Sequence, residues 1–81
     1  MSPLPKIDER AYLIIKKRLE RKPQSTEELA QITGLQIRTV QRYLVRLRDE
    51  LLGTGRALWA VEQSPQRWAI VDLSRVRHVR P

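Results

Sequence analysis

Four arginines, Arg38, Arg42, Arg46 and Arg48, fall within residues 36–48 with no acid among them. A guanidinium presents its donors as a rigid planar fork, suited to paired hydrogen bonds with phosphate oxygens or with the exposed edge of guanine. Gln36 and Gln41 lie in the same stretch, and a carboxamide matches adenine in the same two-point fashion. Thr39 adds a hydroxyl suited to a phosphate oxygen. Chemistry of other kinds is poorly provided for. The chain has no cysteine, and its one histidine, His78, has no partner at metal-ligand spacing, so no metal and no cofactor are expected. Carboxylates are scattered and no glycine-rich phosphate loop occurs, so neither an enzyme nor a small-molecule ligand is expected.

The overall charge points the same way. Sixteen cations face nine acids across 81 residues, a net charge of +7, and twelve of the sixteen are arginine. Residues 6–22 sum to +4, 23–35 to −2, 36–52 to +2 and 53–81 to +3. A patchy positive excess favours a polyanionic partner. Met1 to Lys6 lacks the apolar run of a signal peptide and no stretch approaches membrane-spanning length, so a soluble, cytoplasmic protein that leaves membranes alone is expected.

The elements that must position these side chains follow from periodicity and punctuation. Residues 1–7, with two prolines, read as a flexible lead-in before a single domain over 8–72, and 73–81 as a basic tail. Asp8 is placed to cap a first helix, in which Ile7, Ala11, Ile14, Ile15 and Leu19 recur at helical spacing until Pro23 stops it. Ser25-Thr26-Glu27-Glu28 has the form of a capping box, opening a short second helix with Leu29, Ala30 and Ile32 inward. Thr33-Gly34 ends that helix. From about Gln36 to Leu51 a third helix places Ile37, Val40, Leu44, Leu47 and Leu51 within an arc of about 80°. Arg38, Thr39, Arg42 and Arg46 project from the other side, interrupted by Val45. Gly53-Thr54-Gly55 then breaks the helix, and 56–62 and 67–72 read as two antiparallel strands around a turn at 63–66. Trp59, Trp68 and Ile70 are the expected buried residues of that hairpin, and Tyr12 and Tyr43 are expected to be partly buried beside their helices.

In the segment Glu27–Leu47 the sequence resembles the winged helix-turn-helix superfamily, most closely the small bacterial and phage regulators. The resemblance rests on Glu28-Leu29-Ala30, Gly34, and Thr39-Val40-Gln41-Arg42-Tyr43-Leu44 with Leu47, and extends over about Ala11 to Asp72. It implies an α+β, mostly α fold: three helices and a two-stranded C-terminal β-hairpin, the wing. It also implies that the helix from Gln36 is the recognition helix, which enters the major groove of double-stranded DNA by its N-terminal turns. Gln36, Arg38, Thr39, Gln41, Arg42 and Arg46 are then the DNA-contacting residues. The wing contact falls to Ser64, Gln66 and Arg67, although a single cation beside Glu62 makes this a weakly basic wing.

Other features admit a plain structural reading beside a functional one. Lys16, Lys17, Arg18, Arg21 and Lys22 read as a solvated helix face or as a secondary phosphate contact. Arg75, Arg77 and Arg80 suit a basic arm along DNA, whereas the alternating Val76 and Val79 suit an added strand. Val45, Leu52 and Leu58 are candidate seeds of an interaction surface. The expected function is a sequence-specific DNA-binding regulator of transcription that acts by occupying its site, of a size that suits a phage or other mobile element. A fragment of a longer factor fits equally. One such module buries only about 600–1,000 Å² on DNA, and a homodimer on a palindromic site answers that shortfall. The alternative is a winged helix used for protein or RNA interaction, since fold alone does not fix function.

Overall fold

The computed structural model describes residues 8–76; the lead-in 1–7, the tail residues Arg77, His78, Val79, Arg80 and Pro81, and the side chains of Arg75 and Val76 lie outside the described residues. Asp8 opens α1 (Glu9–Arg21), its Oδ1 accepting from the backbone N–H groups of Arg10 at 3.0 Å and Ala11 at 3.3 Å. At Lys22 the chain turns extended, as the following proline demands. The capping box forms as expected at α2 (Thr26–Thr33). Ser25 Oγ accepts from the Glu28 N–H at 3.1 Å, and Glu28 Oε1 accepts from the Ser25 N–H at 2.8 Å. Gly34 closes α2 with φ 77°, a left-handed conformation that other residues adopt only with strain. The Thr33 hydroxyl donates to the Leu29 carbonyl at 2.7 Å and accepts from the Leu35 N–H at 3.3 Å, fixing the turn into α3 (Ile37–Leu51).

Val40, Tyr43, Leu44, Leu47 and Leu51 form the buried stripe of α3 and meet Ala11, Tyr12, Ile15 and Leu19 of α1 and Leu29 of α2. The antiparallel hairpin β1 (Arg56–Gln63) and β2 (Gln66–Asp72) closes this core. Because side chains alternate across a strand, the register places Leu58, Ile70 and Trp68 on one face, which packs onto the helices. The linker between α1 and α2 extends the sheet. Gln24 and Trp68 exchange both backbone hydrogen bonds, at 2.8 and 2.9 Å, beside β2. Gln24 and Ser25 are buried there, and no buried side-chain polar atom among the described residues lacks a partner. A short α4 (Leu73–Val76) follows β2. The fold is thus α+β and mostly helical, three helices with a two-stranded C-terminal wing.

Several residues lie elsewhere than their periodicity predicts. Trp59 is 54% exposed, because its odd position sets it opposite Leu58, on the outer sheet face across from Ala69. Ile37, at the margin of the stripe in the first turn of α3, is exposed. Ile14 and Ile32 are also exposed, as is Val45, whereas Tyr12 and Tyr43 are buried. The two tyrosine rings meet edge to face, with centroids 6.1 Å apart. Tyr43 Oη accepts from the Asp8 N–H at 2.7 Å, which joins the start of α1 to α3. Leu58 is half-buried and packs against the core.

Ion pairs between half-exposed groups, such as Lys16–Glu50 and Arg56–Glu20, are worth only about 0–1 kcal/mol each. Core burial dominates. Leu47→Ala, at a fully buried site, is expected to cost about 2–5 kcal/mol. Trp59→Ala is expected to cost less than about 1 kcal/mol. Urea denaturation of both variants checks the ordering, and an equal loss would contradict the placement of Leu47 inside the core and Trp59 on the outer sheet face.

Candidate nucleic-acid interface

The stripe that α3 buries determines what it displays. At 100° per residue, Arg38, Gln41, Arg42 and Val45 share an arc of about 100° on the side away from the core, and all four are exposed. Gln36 is the N-cap of α3 and is exposed, but its side chain makes no capping hydrogen bond, so its carboxamide is not tied to the helix. The first turn of α3 contains no acid, so the positive end of the helix is not neutralised from within. Thr39 is half-buried at the edge of this surface.

The α3 arginines divide into two kinds. Arg38 and Arg42 have no ion-pair partner among the described residues. Arg46 leans to the α1 side, its guanidinium 5.5 Å from the centre of the Tyr12 ring. Arg48 pairs with Asp49 at 3.6 Å, both well exposed. Beneath Arg46, the Tyr12 hydroxyl donates to Glu50 Oε1 at 2.6 Å, and Lys16 Nζ binds Glu50 Oε2 at 3.1 Å. Burial and the adjacent Glu50 carboxylate push Tyr12 up to about 12. The same hydrogen bond, followed by that from Lys16, lowers Glu50.

Beside α3, a cleft of about 430 Å³ separates it from the wing tip and the start of α2. Thr26, Gln41, Val45, Arg48, Pro65 and Gln66 line it, with Glu27 also at its edge. The wing tip thus stands next to the displayed face of α3. Ser64 and Gln66 are exposed there, and the Ser64–Pro65 peptide is cis.

Arg67 is held differently from expectation. Its Nε and Nη2 bind the two oxygens of Glu28 at 3.1 and 3.2 Å, while Nη1 binds Glu62 at 2.8 Å. All three bonds are charge-assisted, and the pair with Glu28 is bidentate. Arg67, the wing tip's own cation among the described residues, is therefore engaged by two acids and holds the hairpin in position. Sequence reasoning found Glu28 as half of a capping box but missed that the same carboxylate anchors the wing. No local pattern signals a contact across 39 residues. The Gln24–Trp68 bridge was missed for the same reason.

Among the described residues, no group of three histidine, cysteine or acidic side chains could hold a metal ion, and no helix is long and apolar enough to cross a membrane. No family model matches the chain, and neither a curated protein nor a solved structure matches it.

The Arg67 guanidinium, then the Ser25 N–H, holds Glu28 down at about 2 against an ordinary 4.5. A carboxylate whose folded value is depressed contributes stability that is complete above its ordinary range and lost as pH falls through the folded value. Thermal melts of the wild type should therefore decline between about pH 5 and about pH 2. Glu28→Gln and Arg67→Ala should melt lower than wild type at neutral pH and decline less on acidification. Acid limbs identical to wild type would contradict the clamp.

Proposed function

We propose that this protein binds double-stranded DNA with sequence preference, inserting α3 into the major groove and acting as a transcriptional regulator by occupying its site. The observation that carries this reading is the pair Arg38 and Arg42: exposed, without an ion-pair partner among the described residues, and on the outward face of a helix whose opposite side is fixed in the core. A groove about 12 Å wide admits one such helix. Gln36, Arg38, Gln41 and Arg42 are the base-reading set, with Arg38 and Arg42 directed to guanine and the glutamines to adenine. Thr39 and the uncompensated start of α3 serve phosphate. Arg46 reaches backbone phosphate from its seat over Tyr12. Ser64 and Gln66 give the wing a neutral, hydrogen-bonding contact, and Arg67 holds that wing in place.

A helix fixed by its own core needs little rearrangement to bind, which limits the ordering cost of association. The small footprint of one module is met by a symmetric dimer, for which the outer sheet face around Trp59 is the apolar surface at hand. Selection from random duplexes identifies the preferred site.

Binding to a mixed-sequence duplex, followed at about 50 and 200 mM salt, tests the reading. Wild-type affinity should fall steeply with salt. Arg38→Ala and Arg42→Ala should each weaken binding, by about 1–3 kcal/mol on a selected site, while urea melts remain near wild type. Salt-insensitive binding, or unchanged affinity in both variants, would overturn it.

A further inference from the structure

The acids of the described chain are nearly all engaged. Glu20 holds Arg56, Glu28 and Glu62 hold Arg67, Glu50 holds Lys16, Asp49 holds Arg48, and Asp8 caps α1. The cations this leaves without an ion pair among the described residues fall into two groups. Arg38, Arg42 and Arg46 belong to α3, the last of them over the Tyr12 ring. The others, apart from Arg10, are Lys17, Arg18, Arg21 and Lys22 at the C-terminal half of α1. These four line a groove of about 660 Å³ between α1 and α2, together with Ile14 and Ile32. The two isoleucines are 37% and 36% exposed, although their spacing would suit a core.

The groove is not part of the surface assigned to DNA. On the α1 wheel, Tyr12 and Lys16 point to α3, and Ile14, Lys17, Arg18 and Arg21 span an arc centred about 170° away from them. Four cations around one groove repel one another and raise the local positive potential, which an anionic partner relieves. The isoleucines impose a second requirement. A phosphate backbone would neutralise the cations yet leave both isoleucines against a hydrated chain. An amphipathic segment with carboxylates flanking an apolar stripe meets both demands at once, by laying its stripe into the groove. This chain does not supply such a segment. Residues 1–7 and 77–81 contain no acid, and a second copy offers only Glu9 and Glu27 outside the ion pairs and caps, on two different helices.

We propose that the groove between α1 and α2 docks an acidic amphipathic helix of a different protein, with Ile14 and Ile32 receiving its apolar side chains and Lys17, Arg18, Arg21 and Lys22 its carboxylates. The site is separate from the DNA-binding reading and stands or falls without it. The α3 face would hold a nucleic acid while the α1–α2 face recruits a protein.

The test uses a fluorescein-labelled, helix-forming peptide of about 16 residues, with leucines at i, i+3, i+4 and i+7 and glutamates beside them. A control peptide of the same composition has its leucines scattered around the helix. Anisotropy titrations compare the wild type, Arg18→Glu/Arg21→Glu and Ile14→Ser/Ile32→Ser, each checked for native circular dichroism; Arg18→Ala/Arg21→Ala replaces the charge reversal if that variant fails to fold. Wild type should bind the patterned peptide with micromolar affinity and the scattered one several-fold more weakly. The arginine variant should lose about tenfold, the isoleucine variant several-fold, and Arg42→Ala nothing. The proposal is overturned if wild type does not bind the patterned peptide, or if either groove variant binds it as wild type does. Equal affinity for the two peptides would also overturn it, since charge alone would then be at work. Finally, Arg18→Ala/Arg21→Ala is titrated with duplex DNA at about 200 mM salt, where screening is strong and a loss of less than about threefold is expected. A tenfold loss there would assign the groove to phosphate instead.

Discussion

One helix carries both obligations of this fold. The stripe of Val40, Tyr43, Leu44, Leu47 and Leu51 must be removed from water, and in so small a chain no other element could replace the area it buries. Helices α1 and α2 and the inner face of the hairpin each supply one wall around that stripe. Burial on one side fixes the rotation of α3 about its own axis, and that rotation decides which residues face outward. Arg38 and Arg42 are displayed because Val40 and Leu44 are buried. Any ligand that reads this helix therefore reads the negative image of the core.

A second constraint ties the wing to that helix. Glu28 accepts from the Ser25 backbone and from two nitrogens of Arg67, so a single carboxylate sets the start of α2 and the base of the wing tip together. The Gln24–Trp68 backbone exchange reinforces the same junction. Individually, half-exposed ion pairs contribute little. Here the geometry is bidentate and networked, and the guanidinium cannot be relocated without stripping two acids. The consequence for function is that the hairpin gives up its only tip cation for a defined position beside α3. On the proposed reading, the wing contributes shape and hydrogen bonding, and the charge offered to a polyanion comes from α3.

The helical part of this arrangement was legible in the sequence because its signals are local. Asp8, Ser25 with Glu28, and Gly34 mark helix ends through bonds spanning two to four residues, and the α3 stripe repeats at a fixed period. The hairpin was legible in outline, but its facing was not. A run such as Arg56–Gln63 with few polar residues offers no alternation to read, so Trp59 and Trp68 looked equivalent until the pairing register separated them. Ile14, Ile32 and Ile37 fit helical periodicity but lie where no neighbouring element covers them. Arg67 and Gln24 depend on contacts far apart in the chain, which neither period nor spacing encodes. The candidate arginines of α3 were legible as exposed. That Arg46 would be drawn onto Tyr12 was not, because it depends on how α1 crosses α3.

The charge pattern gives the molecule two faces of different chemistry. On α3, unpaired guanidiniums alternate with carboxamides, the surface proposed to read base edges. On α1 and α2, cations surround apolar side chains. The central claim concerns the first face, and backbone amide chemical-shift mapping by NMR tests it directly. On titration with a short DNA duplex, the largest shifts should fall at Gln36–Arg46 and at the wing tip around Ser64 and Gln66, with α1 little changed. Shifts confined to α1 and α2, with the first turns of α3 unmoved, would contradict the account.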